Sequence, residues 1–165
     1  MIAQLNRAIF PYQVASGILD LLQPISLLAA RIYVAWVFFA SGLTKIRDWD
    51  TTLFLFQEEY SVPLLNPEIA AFLATAGELI LPVLLALGLT SRISAIGLSI
   101  INIVAVISLE EIAPAAFSLH VLWGVLLAQV VVFSGGTLSL DKFIKKRFFS
   151  KVNEKPSKDT VASLF

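Results

Sequence analysis

Two long stretches of the chain carry almost no charge. Between residues 69 and 109 the only charged residues are Glu78 and Arg92, and between residues 112 and 140 there is none. Of the 165 residues, 58% are hydrophobic and 15% are charged, whereas about 25% of the residues in a typical soluble domain are charged. Because about 20 apolar helical residues span the hydrocarbon core of a bilayer, this pattern predicts an all-α, polytopic membrane protein.

Four apolar segments are long enough to cross a bilayer, and we predict that they form an antiparallel bundle of four transmembrane helices. Their predicted ranges are 25–44, 69–89, 93–109 and 116–133. The connection between the first two spans mixes aromatic and charged residues, which is typical of an amphipathic helix in the membrane interface. The turn between the second and third spans is short, and Gly88 is expected to end the second helix there.

The two ends of the chain differ from the apolar middle. In residues 1–23 apolar side chains recur at helical spacing, and Pro11 and Pro24 interrupt the pattern, which predicts a short juxtamembrane surface helix. Residues 24–143 form the predicted membrane domain. Residues 144–165 are polar and basic, and we predict that they form a disordered tail.

The distribution of basic residues predicts the orientation in the membrane. Nine of the twelve lysines and arginines fall on one side of the four predicted spans, namely Arg7, Arg92 and the seven between residues 142 and 158. Basic residues concentrate on the cytoplasmic side of membrane proteins. We therefore expect both termini to lie in the cytoplasm.

Charged residues inside the spans are candidates for ligand binding, because an unpaired charge at mid-bilayer costs at least about 2.5 kcal/mol. Arg31 lies in the first span, Glu78 in the second, and Lys45 at the outer end of the first. Arg31 and Lys45 are fourteen residues apart, so they share one helix face. Either base can reach Glu78. Side chains lean toward the N-terminus of their own helix, which favours Lys45, but both partners stay open.

Pro82 follows Glu78 by four residues and has no N–H group, so the carbonyl of Glu78 loses its helical hydrogen bond. The acid and this freed acceptor together suit a cation, a hydroxyl group or a water molecule. Asn102 in the third span can lie at the same depth. A paired Glu78 can also serve helix order alone, as buried polar pairs sometimes do.

The remaining polar position is His120, near the outer end of the fourth span. It is either a ligand-binding residue or an interfacial histidine bonded to a carbonyl. The glycines at positions 42, 97 and 124, one in each of three spans, are predicted to be close-packing positions.

Composition excludes several kinds of chemistry. The chain has no cysteine, one histidine and one methionine, which excludes thiolate catalysis, iron–sulfur ligation and thiolate zinc sites, and argues against a haem with two axial side chains. We expect no metal site, no covalent cofactor and no nucleic-acid partner.

Several short motifs follow one another in a familiar order. They are an arginine in the first span, GLTK at 42–45, AGELILPVLLALGL around Glu78, the turn GLTSR, and GGTLSLD at 135–141. This succession resembles the DoxX family of small bacterial inner-membrane proteins. The resemblance implies a four-helix membrane bundle in the bacterial cytoplasmic (inner) membrane. The family's recurrent polar residues fall on Arg31, Lys45, Glu78, Arg92 and Asp141. Some members of the family are linked to quinone-dependent sulfur oxidation, and others to redox complexes that respond to oxidative stress.

We therefore expect an auxiliary subunit of a quinone-linked redox complex rather than an enzyme on its own. A polar pocket around Glu78 would hold a quinone or another lipid-like molecule, with Trp36, Phe38 and Phe39 flanking its ring. The expected partners are the lipid bilayer and other membrane or redox subunits. Two alternatives stay open: a carrier for a small solute or a proton, in which Glu78 titrates, and a structural scaffold with no ligand.

Overall fold

The structure is a computed structural model that describes the backbone of residues 2–136 and 138–149. Every element in this part of the chain is an α-helix. The helices are α1 (Ile2–Arg47), α2 (Trp49–Glu58), α3 (Pro67–Leu87), α4 (Ser91–Ile107), α5 (Pro114–Phe133) and α6 (Leu140–Phe149). By length and composition α1, α3 and α5 can cross a membrane, and α4 is a shorter apolar helix. The described chain is thus all-helical, with three to four helices that can span a bilayer.

The predicted second, third and fourth spans correspond to α3, α4 and α5. Each helix begins two residues before the predicted start. Two of these starts have a local cause, because Pro67 and Pro114 occupy first-turn positions, where the missing N–H of proline costs nothing. At its other end α3 stops at Gly88, which has a left-handed φ of 72°, as the sequence predicted.

The prediction of a separate helix before Pro24 was wrong. α1 is one helix of 46 residues that continues past both Pro11 and Pro24. A proline in a helix interior removes one hydrogen bond and commonly kinks the helix, but it does not always end the helix. At 1.5 Å per residue α1 is about 69 Å long, which exceeds the roughly 30 Å hydrocarbon core of one bilayer.

The predicted boundary at residue 144 also has to be corrected. α6 continues through Phe149, so the first residues of the predicted tail are helical. Apolar side chains at Leu140, Phe143 and Ile144 recur at helical spacing among the basic residues, and this signal was outweighed by the overall polarity of the segment. The rest of the predicted tail, residues 150–165, lies outside the described residues.

The core lies where α1, α3, α4 and α5 meet. α1 packs against α3 and α5, α3 packs against α4, and α4 packs against α5. The buried core residues are Val34, Ala35 and Phe38 of α1, Leu85 of α3, Ala95 and Leu98 of α4, and Leu127 and Val130 of α5. Many large apolar side chains on these helices stay exposed, which is the pattern of helices that face lipid.

α2 is the helix predicted between the first two spans. The Asp48 carboxylate accepts hydrogen bonds from the backbone N–H of Thr51 at 3.0 Å and from its hydroxyl at 2.7 Å, so it caps the start of α2. These hydrogen bonds hold the pKa of Asp48 below its usual value. Phe56 is buried against Ala70 and Ala71 of α3. α2 therefore packs on the first turns of α3, and its place in a membrane interface stays a prediction.

Candidate functional site

Glu78 of α3 forms an ion pair with Lys45 of α1. The distance from Glu78 Oε2 to Lys45 Nζ is 2.6 Å, and Lys45 Nζ also donates to Ser41 Oγ at 2.9 Å. The Glu78 side chain is 8% exposed and that of Lys45 is 20% exposed. Of the two bases that the sequence left open, the partner of Glu78 is Lys45, as the direction of the side chains favoured.

Gly42 brings α1 and α3 close together beside this ion pair. A Cβ atom on Gly42 would lie 3.0 Å from Leu79 and 3.1 Å from Glu78 Cβ. The predicted close-packing role is therefore confirmed at this glycine. Gly124 differs, because a Cβ there would meet Asn102 Nδ2 at an ordinary 3.5 Å.

Arg31 does not form an ion pair with Glu78, so the alternative that Arg31 is the partner of Glu78 was wrong. The Arg31 side chain is buried, and its guanidinium donates to three backbone carbonyls: Nη1 to Gly135 at 2.6 Å, and Nη2 to Leu138 at 3.0 Å and Ala86 at 3.3 Å. Ala86 belongs to the last turn of α3, whose carbonyls have no helical partner, and the other two carbonyls follow α5. Arg31 therefore joins the ends of three helices.

Asp141 forms hydrogen bonds at the same end of the molecule as Arg31. Its Oδ1 accepts from Thr90 N at 2.8 Å, and its Oδ2 accepts from Ser91 N at 2.9 Å and from Ser91 Oγ at 3.0 Å. These groups are at the start of α4, so the carboxylate caps a helix N-terminus and meets the positive end of its dipole. We call Arg31, Asp141 and the carbonyls and amides that they bind the Arg31 network.

Gly88 and Gly135 lie so close to the Arg31 network that a side chain at either position would collide with it. A Cβ on Gly88 would lie 2.8 Å from Ser139 Cβ, and one on Gly135 would lie 2.5 Å from the same atom. Arg92 contributes little to this end, because it makes a long, exposed contact of 3.4 Å to the carbonyl of Val132. Arg31, Gly88 and Asp141 are thus explained by packing and capping.

Asn102 and His120 form a second polar pair, between α4 and α5. Asn102 Nδ2 donates to the backbone carbonyl of His120 at 2.9 Å, and Asn102 Oδ1 lies 2.8 Å from His120 Nδ1. Asn102 is buried. The ring of His120 is therefore bonded to a carbonyl oxygen, that of the Asn102 side-chain amide.

A cavity of about 560 Å³ connects the Lys45–Glu78 pair with His120. It lies at the end of the molecule opposite the Arg31 network, and α2 and the chain after it form part of its wall. Most of its lining is apolar; the polar lining residues are Ser41, Lys45, Tyr60, Glu78, Ser108 and His120. Asn102 is hydrogen-bonded to His120 but does not itself line the cavity.

Tyr60 and Trp123 also line the cavity, and neither was predicted as a site residue from the sequence. Burial, with a further effect of Glu59 and Glu78, raises the pKa of the Tyr60 phenol, so Tyr60 offers a neutral hydroxyl group. Trp123 follows His120 by three residues, and this spacing on one helix face was the available signal. Within the described residues there is no cluster of three or more acidic or histidine side chains that could hold a metal ion.

Comparison with known proteins places the chain in a family. The model of the DoxX family matches residues 26–111, a range that holds both partners of the ion pair. A relative from Haemophilus influenzae, described only as an uncharacterized protein, is 33% identical over 136 residues, which cover 77% of this chain and 88% of the relative. No solved structure matches significantly. The chain, a multi-pass membrane protein by its apolar helices, therefore belongs to the DoxX family.

Proposed function

We propose that the chain is a transmembrane four-helix bundle of the bacterial cytoplasmic membrane, with α1, α3, α4 and α5 as its spans and both termini in the cytoplasm. The 17 residues of α4 are at the short end of the range for a spanning helix. The basic residues of α6 and Arg92 support the orientation. A membrane-impermeant maleimide tests it: in intact cells it should label Glu110→Cys and not Lys142→Cys, and the reverse pattern contradicts the orientation.

We further propose that the cavity holds a quinone or a similar lipid-like molecule. The observation that carries this proposal is an ion pair on the wall of a mostly apolar cavity of about 560 Å³. Ligand pockets typically measure about 300–1,000 Å³ and combine apolar walls with a few polar groups that orient the ligand. Lys45 Nζ has one donor position beyond its bonds to Ser41 and Glu78, and it donates to a ring oxygen of the ligand.

The aromatic residues that flank such a ring differ from the expected set. Phe38 lines the cavity, as expected, and packs edge to face on Trp123 with ring centroids 6.0 Å apart. Trp36 is 65% exposed, and neither it nor Phe39 lines the cavity. In this proposal Phe38 and Trp123 therefore flank the ligand, and Trp36 faces lipid.

In the cell the bound quinone serves a redox assembly of which this chain is an auxiliary subunit. The chain has no cysteine, so thiol chemistry on the quinone or on a sulfur substrate belongs to a partner subunit. The residues of this chain bind and orient the ring, and they shield it from the aqueous phase.

Binding to the purified protein tests the cavity. The variant Glu78→Gln should weaken the binding of a short-chain quinone about tenfold, because the amide no longer fixes the Lys45 ammonium beside the ligand and a charge-assisted hydrogen bond is worth about 1.5–3 kcal/mol. The control is Ser118→Ala, whose exposed hydroxyl bonds to its own helix at Pro114. Unchanged quinone binding by Glu78→Gln would refute the pocket.

Glu78→Gln also distinguishes the two alternative functions, a proton carrier and a scaffold without ligand. A proton carrier predicts proton flux into liposomes that Glu78→Gln abolishes. A scaffold without ligand predicts that Glu78→Gln lowers thermal stability and that wild-type protein binds no quinone. Flux from the wild-type protein, or the absence of any quinone binding, would replace the proposed function by the corresponding alternative.

A further inference from the structure

One ring nitrogen of His120 is bound and the other is free. Asn102 Nδ2 donates to the backbone carbonyl of His120, so the atom that faces His120 Nδ1 at 2.8 Å is Asn102 Oδ1. That oxygen is an acceptor, and the pattern of hydrogen bonds therefore assigns the ring proton to Nδ1. In the neutral imidazole Nε2 is then an acceptor, and no described residue donates a hydrogen bond to it.

The ring of His120 belongs to the wall of the cavity. Trp123 packs edge to face on this ring with ring centroids 4.9 Å apart. Both side chains line the cavity. A hydroxyl group matches His120 Nε2, because it can donate its hydrogen to this acceptor.

We propose that the Asn102–His120 pair makes the cavity selective for a ligand with a hydroxyl group, and thus for the quinol over the oxidised quinone. This inference rests on the proposed function, which makes the ligand a quinone-like ring. A quinone carbonyl only accepts and leaves His120 Nε2 unpaired, whereas a quinol hydroxyl donates to it. The ammonium of Lys45 donates to either form, so the oxidised form still binds, but with one hydrogen bond fewer.

The side chain that binds the hydroxyl group lies outside the family match, whereas its partner Asn102 lies within it. His120 and Trp123 follow residue 111, where the match to the DoxX model ends. Lys45 and Glu78 lie within the match. The matched region thus supplies the ion pair and Asn102, and α5 of this chain supplies His120.

The affinities of the two redox forms of one ligand test the inference. Wild-type protein is titrated anaerobically with a decyl-substituted benzoquinone, and separately with its hydroquinone kept reduced by dithionite. We expect the hydroquinone to bind about tenfold more tightly, the value of one additional hydrogen bond to a buried acceptor. Equal affinities, or tighter binding of the quinone, would overturn the inference and leave the proposed function intact. Failure of both forms to bind would refute the proposed function itself.

Two variants locate the selectivity. His120→Phe keeps a ring of similar size without the acceptor, so the hydroquinone should lose its tenfold advantage over the quinone. Ser118→Ala on the same helix should keep the full preference. A thermal unfolding curve shows whether His120→Phe is folded, and the wild-type comparison decides the question if it is not. A preference that survives in folded His120→Phe would contradict the role of His120.

Discussion

Arg31 and Glu78 are two buried charges in apolar helices, and their partners give them different uses. The guanidinium of Arg31 donates hydrogen bonds to three backbone carbonyls at the ends of helices. Glu78 forms an ion pair with Lys45, and both side chains line the cavity. A buried charge needs compensation wherever it lies. Because backbone carbonyls compensate the charge of Arg31, this residue has a stabilising role. The Lys45–Glu78 pair lies on the cavity wall, so a ligand in the cavity can reach it.

At the residue scale we predict that Arg31→Lys is strongly destabilising. A lysine ammonium cannot present the planar fork that reaches carbonyls in separate segments, so two of the three hydrogen bonds are lost and the free energy of unfolding falls by about 3 kcal/mol. Unfolding in mixed detergent micelles measures this loss. The control Arg92→Lys affects an exposed contact of 3.4 Å and should change stability by less than about 0.5 kcal/mol. A similar effect of both variants would contradict the role of Arg31.

At the scale of helices, apolar length alone located α3, α4 and α5 with an error of two residues at their starts. Proline in the first turn explains that error for α3 and α5, because hydropathy does not register that Pro67 and Pro114 start a helix well. The continuity of α1 was missed because a proline lowers helix stability without always ending the helix. α6 was missed because its apolar residues are few and lie among lysines.

The candidate site was only partly predictable from the sequence. The direction of side chains favoured Lys45 over Arg31 as the partner of Glu78 but left both open, and the Asn102–His120 pair was not predicted. The partners of Arg31 were not predicted either, because they are backbone carbonyls at residues 86, 135 and 138, and a carbonyl has no signature in the sequence. The cavity was only partly foreseen, since its walls depend on how α2 and the chain after it fold back over α3.

At the scale of helices we predict opposite effects on stability for alanine substitutions at Gly42 and Gly124. Gly42→Ala places a methyl group 3.0–3.1 Å from Leu79 and Glu78, so α1 and α3 must separate, and we expect a loss of about 1–3 kcal/mol in the free energy of unfolding. Gly124→Ala meets only an ordinary contact at 3.5 Å and should gain about 0.5–1 kcal/mol from the better helix propensity of alanine. Thermal unfolding of both variants measures the difference. A stabilising Gly42→Ala would show that α1 and α3 are not closely packed there.

At the scale of the whole molecule the two ends of the packed helices differ. One end is closed by the short turn at Gly88, by Asp141 at the start of α4 and by the Arg31 network. The other end holds the cavity, with the Lys45–Glu78 pair and His120 on its wall. The polar residues of the family resemblance sort accordingly: Arg31 and Asp141 hold the closed end together, and Lys45 and Glu78 line the open one.

Tryptophan fluorescence tests the central claim, that the cavity binds a quinone-like ligand, most directly. A quinone quenches a tryptophan that it contacts, and the chain has three tryptophans. Trp123 lines the cavity, and Trp36 is 65% exposed on α1, so two variants that retain only one or the other provide a matched pair. We predict that a short-chain quinone quenches Trp123 with saturation and Trp36 without it. Quenching of both tryptophans in linear proportion to the quinone in the micelle would contradict a binding cavity.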